Sequence, residues 1–215
     1  MDKGEYPRTY LPQIGSKAPQ FTANTTMGPI SLSDYAGQWV VLFSHPGDFT
    51  PVCTTEFMAF AQRNKEFENL NAKLIGLSVD SNSSHLAWVH NIKEKSGIEI
   101  PFPVIADGNK EVASLYGMIS PAQSDSVTVR TVFIIDPDQI VRAIIYYPLE
   151  IGRYIPEIIR LIQALQYSDK NNVVMPANWL PGDAAVLKPP KTYKELTERL
   201  NNGFNCMDWY LCYTK

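Results

Sequence analysis

Trp39-Val40-Val41-Leu42-Phe43-Ser44, then His45-Pro46-Gly47-Asp48, then Thr50-Pro51-Val52-Cys53 are the three successive blocks on which the reading of the fold turns. The first is a continuous apolar run of strand length, the pattern of a buried central strand. The second is a turn cluster with two backbone punctuators. In the third, Thr50 is a good N-cap and Pro51 suits the first helical position, where its missing N–H costs nothing. Phe57, Phe60, Phe67 and Leu70 then recur at roughly helical spacing, so a helix is predicted from Pro51 to about Asn71.

Outward from this unit the same alternation continues. Leu74–Val79 reads as a second buried strand, and Asp80-Ser81-Asn82-Ser83 offers caps for a helix over His85–Lys95. Pro103–Ala106 is a third strand and Lys110–Tyr116 a short helix. Val127–Asp136 and Gln139–Tyr147 are two strands joined at Asp136-Pro137-Asp138, and a helix from about Tyr154 to Leu165 closes the domain. This order predicts an α/β domain over residues 1–166, a central sheet flanked by helices. It is compatible with a thioredoxin-like arrangement and leaves other α/β folds open.

After Gln166 the composition changes. Pro176, Pro181, Pro189 and Pro190 break up Asn171–Lys191, which is predicted to be extended, and Thr192-Tyr193-Lys194-Glu195 is a capping-box pattern leading into Leu196 and Leu200. Residues 167–215 read as a C-terminal arm without a core of its own. Its Trp179, Trp209 and Tyr210 must then cover something, a neighbouring subunit or the same chain.

The charge is nearly balanced, 22 acidic against 19 basic residues, so no broad cationic face exists for a nucleic acid backbone. Met1–Ser16 lacks the apolar core of a secretory signal and no apolar run reaches membrane-spanning length, which predicts a soluble cytoplasmic protein with no membrane partner. Three cysteines, Cys53, Cys206 and Cys212, are too few and too unevenly placed for a disulfide framework. Zinc binding is poorly served: Cys206 and Cys212 lack a nearby His, and His85 and His90 do not share a helix face.

Of the thiols, Cys53 has the environment for reactivity. In the first turn of its helix, unpaired N–H groups and the positive end of the dipole favour an anion. An unperturbed cysteine with a pKa near 8.5 is only about 3% thiolate at neutral pH, and a helix start alone rarely changes that enough, so a cation is needed as well. Arg130 is the first candidate, because in Val127–Ile134 it shares a strand face with Val132 and Ile134, where an unpaired guanidinium would be costly. Arg153, near the start of the last helix, is the second. A structural salt bridge is the alternative for each.

At this point the chain resembles a known family. His45-Pro46-Gly47-Asp48-Phe49-Thr50-Pro51-Val52-Cys53-Thr54-Thr55-Glu56 is similar to the peroxiredoxin active-site motif Pro-x-x-x-Thr-x-x-Cys, and FTANTTMGPISL before it and GLSVDS after it resemble the subfamily named for its one-cysteine member. The resemblance implies a thioredoxin-like fold and reduction of hydrogen peroxide or alkyl hydroperoxides without metal, haem or other cofactor. Carried over position by position, it implies that Cys53 attacks the peroxide and Thr50 hydrogen-bonds thiolate and substrate. Pro46 would shield the pocket, Arg130 would orient the peroxide, and His45 would lie beside the pocket. Cys206-x5-Cys212 resembles the C-terminal pair of an archaeal-type branch, which implies a disulfide between Cys53 and a cysteine of another subunit, with Cys212 the resolving residue. A thioredoxin-like or other dithiol reductant, and a homo-oligomer of dimers forming a ring decamer, are the implied partners. A chaperone-like holdase role is a further expectation of the resemblance. Phospholipase activity is discounted, because Ala36-Gly37-Gln38-Trp39 carries no serine where some relatives have Gly-x-Ser-x-Gly.

Overall fold

The computed structural model describes residues 11–214; most of the Met1–Ser16 segment read above for a targeting signal lies outside them. Two compact units divide between Ile155 and Pro156. In the first, β1 (Thr22–Thr25) and β2 (Gly28–Ser31) form a hairpin, and a 3-10 turn (Leu32–Tyr35) leads to β3 (Trp39–Ser44). Helices α1 (Pro51–Gln62) and α2 (Asn64–Asn69) follow, then β4 (Ala72–Ser78), α3 (Asn82–Ser96), β5 (Val104–Ala106) and α4 (Glu111–Leu115). A short ribbon, β6 (Ile119–Ser120) with β7 (Ser124–Thr128), precedes β8 (Arg130–Ile135) and β9 (Val141–Tyr147). The sheet order is β2-β1-β5-β4-β3-β8-β9, with β3, β4 and β5 parallel and the remaining pairings antiparallel. This is the mixed, helix-flanked, thioredoxin-like sheet expected above.

Strand β3 is central and buried at every position, and its alternation divides the core. Val40 and Leu42 join Leu32, Ile75, Leu77 and Phe133 in one cluster. Phe43 points the other way, stacked on Phe60 with ring centroids 4.2 Å apart and edge-on to Phe57 at 5.6 Å. Glycine at position 76 of β4 lets the ring sit close, because a Cβ there would lie 3.1 Å from the Phe57 ring, tighter than most side-chain contacts. Burial of each such ring is worth about 1.5–3 kcal/mol, so the aromatic layer ties α1, and with it Cys53, to the sheet.

The structure corrects two boundaries in this unit. The predicted helix to Asn71 is interrupted at Arg63, after which Asn64 starts a separate helix with its side chain turned to Glu68. The predicted strand from Val127 divides at Val129, because the Ser44 hydroxyl bonds to the Val129 carbonyl and accepts the Thr131 N–H, replacing ladder bonds by side-chain ones.

The second unit also corrects the reading. Helix α5 (Ile155–Asn171) runs a turn and more beyond the predicted end. The segment after it is not merely extended: β10 (Val173–Val174), β11 (Val186–Leu187), α6 (Tyr193–Asn201), β12 (Asn205–Asp208) and β13 (Leu211–Tyr213) include a four-stranded antiparallel sheet in the order β10-β11-β13-β12. The prolines interrupt this chain without preventing short strands from pairing between them. Trp179 is buried, its indole N–H donating to the Asp183 carbonyl and its ring against Tyr167. Trp209 and Tyr210 stay exposed. Thr192 caps α6 as expected, accepting the Glu195 N–H at 3.1 Å, whereas the Glu195 carboxylate returns to the Lys191 N–H.

Candidate active site

The loop from His45 to Thr50 joins β3 to α1 and sets the position of Cys53. Thr50 has the extended backbone of an N-cap, but its hydroxyl donates to the Gly47 carbonyl at 2.8 Å and caps no helix N–H. Pro51 opens the helix, and Cys53 is its third residue, fully buried. Pro46 is half-buried in the same loop.

Arg130, the first residue of β8, brings its Nη1 to 3.3 Å from the Cys53 Sγ. The same nitrogen donates to Glu56 Oε2 at 2.7 Å, and its Nε is anchored on the Leu149 carbonyl. Glu56, one turn beyond Cys53 on α1, is gripped from the other side by Arg153, whose backbone N–H and Nε donate to Oε1 while Nη2 donates to Oε2. Arg153 Nη1 reaches the Ser44 and Thr131 carbonyls, and its guanidinium lies over the Phe43 and Phe60 rings. Gly152 packs closely on α1, where a Cβ would lie 3.3 Å from Val52.

The side chains of Arg130, Arg153 and Glu56 are at most 4% exposed. Two guanidiniums and one carboxylate leave one positive charge over, which burial makes costly unless an anion faces it. Cys53 as thiolate would balance the cluster. Burial by itself would raise the Glu56 pKa, but Arg153 and then Arg130 outweigh it and hold the carboxylate below its ordinary range.

A second buried cluster lies on the loop side. The Asp48 carboxylate accepts from His45 Nε2 at 3.1 Å and from His85 Nδ1 at 2.8 Å, and His85 Nε2 meets the Ile105 carbonyl at 3.1 Å. Burial would raise the Asp48 pKa, yet the bonds from His45 and His85 prevail and hold it far below the usual range. His45 is pushed down, chiefly by burial. One polar side-chain atom from each of His45, Asp48 and His85 lies within 4.8 Å of the other two, a grouping that setting His85 against His90 alone does not capture.

Thus Cys53 and Arg130 meet, while Arg153 bonds to Glu56 and makes no bond to the sulfur. Cys206 and Cys212, paired across β12 and β13, are joined by a disulfide, with Cys212 fully buried and Cys206 part-exposed. Sequence reasoning missed Glu56 and the Asp48–His85 pair. The spacing of Glu56 three residues after Cys53, on a face shared with Phe57 and Phe60, was the available signal for the first.

A family model described as AhpC/TSA family matches residues 14–144, and one described as the C-terminal domain of 1-Cys peroxiredoxin matches 164–203. Peroxiredoxin 2 of Caldanaerobacter subterraneus is 64% identical over 97% of this chain and 96% of its own length. The chain belongs to the peroxiredoxin family. It is therefore an oxidoreductase, a thiol peroxidase. The peroxiredoxin of Aquifex aeolicus is 56% identical over 95% of this chain and 97% of its own. A solved yeast mitochondrial 1-Cys peroxiredoxin superposes with TM-score 0.85 at 42% identity, covering 94% of this chain and 99% of that one. Among the described residues of this peroxiredoxin, no helix is long and apolar enough to cross a membrane.

Proposed function

We propose that this peroxiredoxin reduces hydrogen peroxide and alkyl hydroperoxides through Cys53, in a three-cysteine cycle. The observation that carries the reading is the Arg130 guanidinium 3.3 Å from a buried sulfur in the first turn of α1. The Cys53 thiolate attacks one peroxide oxygen, the O–O bond breaks, and the other oxygen leaves as water or alcohol after taking a proton, which makes Cys53 a sulfenic acid. Arg130 supplies donors for the charge moving onto the leaving oxygen, Thr50 adds one when its hydroxyl turns from the Gly47 carbonyl to the substrate, and Pro46 and the loop exclude water. Arg153 and His45 stand behind them, Arg153 holding Glu56 and His45 holding Asp48.

Resolution falls to Cys212 of a second subunit: its thiolate attacks the Cys53 sulfenic sulfur, releasing water and forming an intermolecular disulfide. Cys206 then attacks Cys212, freeing Cys53 and leaving the Cys206–Cys212 disulfide, which a cytoplasmic dithiol such as a thioredoxin-like protein reduces. Two features support this assignment. The pair forms a disulfide in the structure, and both cysteines lie beyond the matched 1-Cys C-terminal region, which ends at residue 203. The exposed Tyr193, Leu200, Met207, Trp209 and Tyr210 of the second unit support its use in dimers, and the ring decamer rests on the family resemblance.

One equivalent of peroxide added to the reduced protein should give a covalent dimer on a non-reducing denaturing gel, transient in the wild type and absent in Cys53→Ser and Cys212→Ser. In Cys206→Ser the dimer should accumulate, because the second exchange is blocked. A dimer that survives Cys212→Ser but not Cys206→Ser transfers the resolving role; no dimer in either Cys206→Ser or Cys212→Ser overturns the cycle. Separately, Arg130→Ala should slow the peroxide step about 10²–10³-fold in stopped flow, the usual cost of losing one electrostatic donor. An unchanged rate would remove Arg130 from the chemistry.

A further inference from the structure

The Cys206–Cys212 disulfide presents two sulfurs to a reductant, and thiol–disulfide exchange can begin at either. The sheet that carries them treats them differently. In the order β10-β11-β13-β12, Cys206 lies on the outer strand β12, whereas Cys212 lies on β13, which is paired on both sides: Tyr213 faces Val186 of β11, and Cys212 faces Cys206. Just past β13, the Thr214 N–H donates to the Ala185 carbonyl at 2.8 Å and its hydroxyl accepts the Ala185 N–H at 3.0 Å, so the strand is held inward to its end. The register of β12 shifts between Cys206 and Asp208, so the ladder lapses at Met207, beside the outer sulfur. Cys212 is 0% exposed and Cys206 part-exposed. From this arrangement we infer that the reductant's thiolate attacks the sulfur of Cys206 and that Cys212 is the leaving sulfur. The inference rests on the proposed cycle, in which this disulfide is the species that a dithiol reduces.

The step is a displacement along the S–S axis. A thiolate of a protein dithiol forms a bond to Cys206 Sγ, the Cys206–Cys212 bond breaks, and its electron pair leaves on Cys212, which takes a proton from water. The reductant's second thiolate then attacks the reductant's own sulfur in the mixed disulfide. That forms the reductant's disulfide and releases Cys206. Two electrons have passed from the dithiol to the pair, and no other reactant is needed.

Two influences compete over which sulfur is struck. The Asp208 and Trp209 carbonyl oxygens lie 3.5 and 3.8 Å from Cys212 Sγ, and a carbonyl only accepts, so they suit a departing S–H better than a departing thiolate. Taken alone, this makes Cys212 the poorer leaving group and directs attack onto it. Access acts the other way and decides. The incoming sulfur must lie in line with the S–S bond, on the far side of the sulfur it strikes, and a residue with no exposed surface offers no such approach. Leaving-group strength grades a rate, whereas a closed path removes it. The pair is therefore directional: Cys206 exchanges with the reductant and Cys212 with Cys53.

The test uses full-length Cys53→Ser with its Cys206–Cys212 disulfide formed by diamide, so no step of the peroxide cycle takes part. Glutathione in excess, and separately a thioredoxin whose second active-site cysteine is replaced by serine, are mixed with it and quenched in acid within the first turnover, before the adduct can migrate. Peptic digestion in acid and tandem mass spectrometry then locate the adduct. It should lie on Cys206 at least about tenfold more often than on Cys212, and the ratio should fall to about one in urea, where both sulfurs are open. The wild type, oxidised in the same way, should give the same ratio, which keeps the test decisive if the variant does not fold. Equal adducts, an excess on Cys212, a preference that survives urea, or failure of the disulfide to form would each overturn the inference. Loss of the peroxide-driven dimer would instead end the cycle and leave the adduct ratio standing.

Discussion

A Cys53→Ser variant is expected to consume peroxide no faster than buffer while keeping the wild-type fold. The sulfur is the atom that changes oxidation state in the proposed cycle, and a serine oxygen cannot accept the peroxide oxygen in its place. Removing a covalent nucleophile costs on the order of 10⁶ in turnover where it has been measured. The substitution is small and buried, and Arg130 keeps Glu56 and the Leu149 carbonyl as partners, so the packing and the Arg130–Glu56 pair are kept and only the countercharge of a thiolate is lost. Circular dichroism and the urea midpoint should therefore move little while stopped-flow peroxide consumption disappears. Rapid consumption in the folded variant would end the assignment of Cys53.

What could be read from the sequence, and what could not, follows from how far apart the interacting residues lie. The buried β3, the turn, and the Thr50-Pro51 helix start are local patterns, and the structure places them within a residue of the reading. Arg130 was legible because strand alternation set a cation on an apolar face, a conflict that only a buried partner resolves. Glu56 was not. An acidic residue near a helix N-terminus reads as a favourable solvated charge, and its partner Arg153 is 97 residues away. Asp48 and His85 were hidden in the same way, 37 residues apart, with Asp48 read as a turn residue. The β1–β2 hairpin, rich in Thr and Asn, carries no apolar alternation to announce it. The small C-terminal sheet is built from strands too short for periodicity to show, so its prolines dominated the reading.

Glu56→Gln should be the most destabilising of the conservative site substitutions, by about 3–5 kcal/mol, the cost of removing one partner from a buried ionic cluster. The substitution would leave the Arg130 and Arg153 guanidiniums facing each other across a neutral amide, which can accept through only one oxygen where the carboxylate now takes four donors on two. The pH dependence separates this loss from a packing defect. Glu56 is held below its ordinary pKa by the two arginines, so its contribution is complete above the unfolded value of about 4.3 and is lost as pH falls through the folded value. The gap between wild type and Glu56→Gln in urea midpoints should therefore be widest near neutrality and should narrow in acid, as the wild type protonates and comes to resemble the variant. A gap that is constant with pH would mean that the carboxylate is not what holds the arginines. The peroxide step should slow as well, since Arg130 would lose one of the two anchors that hold it beside the sulfur. A variant of wild-type stability and rate would show that the buried cluster neither supports the fold nor positions Arg130.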